Sequence, residues 1–461
     1  MPIAGAFIVP HPPIILPEVG RGEEGKIQKT VDAYREVARR ISQLKPDTIV
    51  LTSPHIAMYA DYFHISPGEK AKGDLRQFGV SGVSAEAQYD SEFVRVLAQA
   101  AEETGLAAGT LGEREKHLDH GTVIPLRFID EVLDGYKLVR IGLSGLPVTD
   151  HYRLGRLIAQ TAERLNRRVV FVASGDLSHK LKEDGPYGFA VEGPEFDRQI
   201  TDMMVNGDFL RMMNLPPNFC DAAAECGLRS FIIMAGALDG KAVTPKLLSY
   251  EGPFGVGYAV CAFSVTGQDD SRRFDKIYEE ELLQRLGDIK GKEDPYVRLA
   301  RLSLETYIKT GRRAVLPENL PDEMLNHRAG TFVSLKKYGE LRGCIGTIEP
   351  TTESVAEEIL QNAVSAGTQD PRFSPVTEAE LPYLVYSVDV LAEPEPIESI
   401  AQLDVKRYGV IVLSGHKSGL LLPNLEGVDT PGQQVDIAMR KAGIRSGEAV
   451  TLQRFEVVRH L

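Results

Sequence analysis

Four short apolar runs, IAGAFIV at residues 3–9, DTIVLTS at 47–53, YKLVRIGLSG at 136–145 and RRVVFVASGD at 167–176, punctuate the first part of the chain, with segments of helical periodicity between them. Between the first two, Ile27, Val31, Tyr34, Val37, Ala38 and Ile41 recur at the spacing of one helix face across Glu23–Leu44. Strand, helix, strand in that order needs a crossover, and its right-handed form lays the two strands parallel in one sheet. SEFVRVLAQAAEE and the stretch Asp150–Asn166 continue the alternation as helices. The first unit is therefore expected to be α/β, a mostly parallel or mixed sheet flanked by helices. CGLRSFIIMAGAL is apolar enough for a buried helix, and KLLSYEGPFGVGYAVCAFSVTG reads as a hairpin that finishes the sheet.

The alternation stops near residue 268, where the charged stretch TGQDDSRRFDKIYEEELLQRLGDIKGKEDPY begins. Residues 269–289 read as a solvated helical connector. From 290 to 461 the chain opens with a helix around YVRLARLSLETYIKTG and then mixes strands such as GTFVSLKKYGELRGCIGT with Pro-rich loops. That second, smaller unit is expected to be α+β. With 461 residues the chain exceeds one ordinary domain, which agrees with units 1–268 and 290–461.

Lys and Arg number 52 against 65 Asp and Glu, and the net charge of -13 opposes a nonspecific grip on nucleic acid or on anionic lipid. Cysteines at 220, 226, 261 and 344 form no CxxC pair, which points to a reducing compartment. The first residues lack a basic leader, and no run approaches the roughly 20 apolar residues that span a bilayer. A cytoplasmic location without membrane association is expected.

In an open α/β sheet the loops leaving the carboxyl ends of parallel strands emerge on one side, where ligands bind. His11 follows the first strand, His55 the second and His179 a later one, so these three are expected to converge. His120, in KHLDHGTVIPL, sits in a loop before a short apolar run and could join them. Neutral imidazole binds iron, zinc or copper, and a free ring near neutral pH moves protons. Singly, each of these histidines reads more simply as a loop residue; jointly they read as a site. His64, His117 and His151 stay with strand, turn and helix-start roles. For a carboxylate, Glu225 stands at the front of an apolar helix, where it either complements the helix dipole or binds metal. Cys226 beside it is an alternative ligand, and Asp176 is a ligand or a capping turn residue.

With these residues assembled, the first part resembles the class III extradiol dioxygenase catalytic-subunit family, through PHPP with His11, SPH with His55, DHGTVIPL with His120, SGDLSH with His179 and AAAECG with Glu225. The resemblance implies ferrous iron on His11, His55 and Glu225, with His179 as acid/base and His120 assisting. It also implies cleavage of a catechol-like aromatic substrate by dioxygen. Memo-like proteins belong to the same superfamily and use a cysteine in the region of Cys226. The second part resembles the AMMECR-type domain, through LRGCIGTIEP, DPRFSP and KSGLLLP. The combination is similar to the protein A family of the AmmeMemoRadiSam system, which implies Memo-like and radical SAM proteins as partners. The rival readings are a metal- or ligand-binding component that cleaves no ring, and hydrolysis at zinc; zinc and copper are the alternative metals. In LRGCIG, Cys344 is either a small buried cysteine or, if Arg342 points at it, a reactive thiol. Asp370, Arg372 and Phe373 read as a structural turn, and His416 as a loop residue.

Overall fold

The computed structural model describes residues 2–425 and 427–461. The chain divides into two compact units, one ending at Glu280 and one beginning at Glu281.

In the first unit β1 (Ile3–Val9) leads through a 3-10 turn into α1 (Gln28–Leu44), and β2 (Thr48–Ser53) follows. The helix buries Val31, Tyr34, Val37, Ala38 and Ile41, the face that the periodicity marks, but starts five residues later than expected because Glu23–Ile27 winds as the 3-10 turn after Gly22 at φ 105°. A hairpin of β3 (Lys70–Leu75) and β4 (Val80–Gln88) precedes α2 (Ser91–Glu103). Next come α3 (His120–Ile129), β5 (Lys137–Gly142), α4 (Val148–Arg164) and β6 (Val169–Ser174). After them α5 (Glu192–Asn206), α6 (Leu228–Ala237), β7 (Lys241–Glu251) and β8 (Tyr258–Gln268) complete the unit.

The main sheet runs β5–β2–β6–β1–β8–β7. The first four strands are parallel, and β8 and β7 add to the edge in antiparallel sense. Strands β2 and β6 are buried along their whole length, as parallel strands covered on both faces must be, which is why their sequences are continuous apolar runs. Helix α6, buried except at Arg229, meets α4 where both carry glycine: a Cβ on Gly155 would stand 2.0 Å from Ile233 O, and one on Gly236 2.0 Å from Tyr152 O.

α7 (Phe274–Lys292) spans the division between the units. The second unit is α+β. α8 (Pro295–Thr310), β9 (Thr331–Lys337), β10 (Glu340–Gly346), α9 (Val355–Thr368), β11 (Leu384–Leu391), β12 (Glu395–Ile397), β13 (Tyr408–Ser414), β14 (Lys417–Leu421), α10 (Pro431–Lys441) and β15 (Thr451–His460) follow in order. The strands form an antiparallel sheet ordered β10–β9–β11–β15–β13–β14, with β12 also on β15. Its core gathers Val297, Leu304, Val333, Leu335, Ile359 and Val388. Among the described residues no helix is long and apolar enough to cross a membrane.

Candidate metal centre

His11 lies just beyond β1, His55 just beyond β2, and His120 opens α3. The expectation of a loop at His120 is corrected by the structure: Asp119 takes the N-cap position and His120 is already helical, although Pro125 lies inside the same helix. The three imidazoles meet, each with a ligand nitrogen within 4.8 Å of the others. His11 Nε2 is 2.9 Å from His55 Nε2, and the His55 and His120 rings lie 3.9 Å apart between centroids.

Pro125 also decides which nitrogen of His11 faces this centre. Having no N–H, it cannot bond to the carbonyl four residues back, so the helix leaves Gly121 O without its internal donor. Ser174, at the end of β6, supplies one: its hydroxyl donates to Gly121 O at 2.7 Å. A serine has a single proton to give. The Ser174 oxygen therefore accepts from His11 Nδ1–H at 2.9 Å, and His11 Nε2 turns a lone pair toward His55. Such a hydrogen bond behind a ligand imidazole fixes its tautomer and its direction.

His55 and His120 are held uncharged. Burial, with unfavourable electrostatics from the neighbouring His11 and then His120 rings, lowers the His55 pKa to about 3. Burial and His11 lower that of His120 to about 4. Behind them stands a buried anion, Asp119, which accepts from Ser53 Oγ at 2.6 Å, Thr122 Oγ1 at 2.9 Å and Arg140 Nη2 at 3.0 Å. Burial alone pushes the Asp119 carboxyl up, but Arg140 and these donors outweigh it and hold the group below its usual range. Ser53 Oγ in turn accepts from His55 N at 3.2 Å, so the Asp119–Arg140 pair anchors the backbone that carries His55. Three convergent imidazoles, His11 with its tautomer fixed and His55 and His120 held neutral, are a donor set that fits a divalent transition metal.

Asp176 adds a carboxylate at the edge of the centre. Its Oδ1 accepts from His11 N at 2.8 Å, while Oδ2 is 3.9 Å from His11 Nε2 and 3.9 Å from His179 Nε2. Burial raises this carboxyl, yet the two histidines and the backbone donor bring it net below the usual value. His179 is thus joined to the centre through Asp176, and its ring packs on Tyr187 at 5.0 Å. Gly175 and Gly227 pass so close that a Cβ on the first would be 2.2 Å from the Cα of the second, which sets Cys226 beside Asp176. Cys226 Sγ accepts from Asp176 N at 3.3 Å and is 3.7 Å from His11 Nε2; burial keeps its thiol well above the ordinary pKa. The Glu225 carboxylate accepts from Leu228 N at 2.6 Å, at the start of α6, and burial raises its pKa.

His64 and His151 are buried and bond to Leu111 O and Pro147 O, and exposed His117 lies near Lys72 O. In the second unit Arg342 faces Glu380 with both Nε and Nη2 rather than Cys344, and burial pushes the Cys344 thiol up. Asp370 accepts from Cys344 N and pairs with Arg372, so DPRF is a turn clamped to β10. His416 is exposed in the turn between β13 and β14.

Sequence reasoning missed Ser174, Asp119 and Arg140. Arg140 had a signal, a cation within the apolar run KLVRIG, since a buried charge needs a partner. Gln77, whose amide is 3.2 Å from His120 Nδ1, and Phe78, whose ring is 5.0 Å from His120, had none.

A family model described as the catalytic LigB subunit of aromatic ring-opening dioxygenase matches residues 5–261, and an AMMECR1 model matches 297–460. A protein of Clostridium acetobutylicum is 41% identical over 470 residues, covering 100% of this chain and 99% of its own length. A protein of Thermotoga maritima is 49% identical over 170 residues, 36% of this chain and 98% of its own. A crystal structure of a protein from Pyrococcus horikoshii is 34% identical, covers 36% of this chain and 88% of its own, and has a TM-score of 0.34.

Proposed function

The chain belongs to the LigB family and joins that domain to an AMMECR1 domain, and from this premise we propose that its first unit is an iron-dependent dioxygenase of the extradiol type acting on a catechol-like ring. The observation that carries the proposal is the relay Pro125, Gly121, Ser174, His11, which aims a lone pair of His11 at the imidazole of His55 2.9 Å away. His11, His55 and His120 would hold the metal. Ferrous iron held there would supply the redox chemistry by which dioxygen and a catechol-like ring react.

The remaining steps belong to side chains. His179 Nε2 takes a phenolic proton from the substrate and later returns one to the product, with Asp176 Oδ2 stabilising the imidazolium between the two transfers. Asp119 and Arg140 keep His55 in place, and the Glu225 carboxylate holds the first turn of α6. The donors offered by the sequence also include Glu225 as third ligand, which would require its carboxylate to leave Leu228 N.

Anaerobic reconstitution with ferrous iron, followed by metal analysis and oxygen uptake with a set of catechols, tests the reading. His11→Ala, His55→Ala and His120→Ala are expected to lose iron, Glu225→Gln to keep it, and His179→Ala to keep iron while losing catechol-dependent uptake. Full iron content in the His11 and His55 variants would falsify the site. A second reading is favoured by Cys226 lying 3.7 Å from His11 Nε2, a soft donor resembling the Memo-like arrangement. In it the unit binds metal or ligand without ring cleavage and acts with Memo-like and radical SAM proteins; co-purification of such partners together with no oxygen uptake supports it.

A further inference from the structure

The hairpin of β3 and β4 meets the metal centre at its tip. Gly73 lets β3 lie directly on the segment that leads into α3: a Cβ there would stand 2.1 Å from Leu118 O, and Leu118 N donates to Lys72 O at 3.2 Å. Arg76–Phe78 then turns as a 3-10 segment, closed by Gly79 at φ 81° and stiffened by Asp74, which accepts from Arg76 N at 3.1 Å and Arg76 Nη2 at 2.7 Å. The turn brings two side chains to one imidazole. Phe78 meets the His120 ring edge to face with 5.0 Å between centroids, and the Gln77 amide nitrogen lies 3.2 Å from His120 Nδ1. That leaves Nε2 as the His120 nitrogen available to the centre.

Gln77 is exposed, and among the described residues its amide has no other partner. A side-chain amide donates at one end and accepts at the other in nearly the same shape, so half a turn about its last bond exchanges the two. As it stands the nitrogen donates to Nδ1, and the proton of the neutral ring is on Nε2. With the oxygen in that place, Nδ1–H donates to the amide and Nε2 turns a lone pair to the centre. Ser174 leaves His11 no such choice, because Gly121 O takes its only proton.

We propose that Gln77 is the positioning residue of His120, and that rotation of its amide selects the ring tautomer that binds metal. A cation on Nε2 makes Nδ1–H a stronger donor, which favours the oxygen end of the amide. Fixing that hydrogen bond in advance raises metal affinity, and removing the acceptor lowers it. The inference takes His120 as a ligand from the reading above, while the tautomer is a property of the chain without metal.

Nitrogen NMR of the full chain with labelled histidine at neutral pH, and calorimetry with zinc, test it. Wild type without metal is expected to carry the His120 proton on Nε2, and zinc to move it to Nδ1. Gln77→Glu, which can only accept, is expected to hold the proton on Nδ1 before zinc is added and to bind zinc about tenfold more tightly. Gln77→Met, close in shape but without an amide, is expected to bind zinc about tenfold more weakly. Equal zinc affinity in wild type and Gln77→Met overturns the proposal. So does the same protonated nitrogen in metal-free wild type and Gln77→Glu, even with tighter zinc binding, since the carboxylate then acts by its charge alone. The two readings fail separately: full iron content in His120→Ala removes His120 from the ligands whatever its tautomer, and a tautomer indifferent to residue 77 removes the Gln77 assignment alone.

Discussion

Ser174→Ala strips the hydroxyl that donates to Gly121 O and accepts from His11 Nδ1. His11 then has nothing to fix its tautomer, and metal affinity is expected to fall about 10- to 100-fold, the usual cost of losing a partner behind a ligand histidine. Metal titration followed by calorimetry measures it; an unchanged affinity sinks the relay. Asp197 yields a prediction of a different kind. It is buried, accepts from Ser178 N at 2.8 Å and Tyr250 OH at 2.7 Å, and burial raises its pKa to about 6 despite those donors. The folded protein thus keeps a proton that the unfolded chain releases near pH 4, so this residue's contribution to stability falls as pH rises from about 4 to about 6 and is level outside that window. The change is about 3 kcal/mol at most. Urea unfolding of wild type and Asp197→Asn should show the wild type losing ground to the variant between pH 4 and 6; a difference independent of pH contradicts the assignment. Of these residues, His11 and His55 were legible in the sequence because they follow strands at the sheet's carboxyl edge. Ser174 and Asp197 were not, because their roles depend on partners that only folding brings near.

Within α3, Pro125 is the element's irregularity and its working part. Pro125→Ala restores an N–H aimed at Gly121 O, which frees the Ser174 hydroxyl to donate to His11 Nδ1 and so to turn His11 Nε2 into a donor. Metal affinity is expected to drop about tenfold or more while the helix becomes more stable. Thermal unfolding and metal titration read the two effects, and a rise in both would contradict the relay. The helix pair α4–α6 makes a complementary case: Gly155→Ala places a Cβ 2.0 Å from Ile233 O, and overpacking of this sort costs about 1–3 kcal/mol or more. Gly82→Ala, with nothing within 4 Å, is the matched control expected to be near neutral. Helical patterning revealed α1, α2 and α4, and a nearly continuous apolar run revealed α6, because the first three bury one face and the last almost all of itself. Patterning concealed the β3–β4 hairpin, whose outer residues are exposed and whose apolar positions are mostly alanine, and with it the Gln77 and Phe78 contacts to His120.

At the scale of the molecule, the alternation of apolar strands and helices was enough to read the first unit as α/β, since a parallel sheet covered on both faces leaves continuous apolar runs. The second unit was legible only as α+β: its strands alternate buried and part-exposed positions, and the order of an antiparallel sheet is set by pairings between distant segments. The units have separate cores, one around Val9, Ile49, Leu51 and Val172 and one around Leu304, Val333, Ile359 and Val388. His11, His55 and His120 all belong to the first. Metal binding therefore adds its free energy to the unfolding of the first unit, about 2.7 kcal/mol when free metal is 100 times the dissociation constant. For a unit of this size that corresponds to a rise of roughly 5–10 °C in its midpoint. Hydrogen exchange on the full chain, with and without ferrous iron under anaerobic conditions, locates the gain: slower exchange is expected in the segments that carry β1, β2, β6 and α3, with β9–β11 and β15 unchanged. Protection gained in the second unit alone would place the metal somewhere other than these histidines, and protection gained in neither would mean that the three imidazoles meet without binding it.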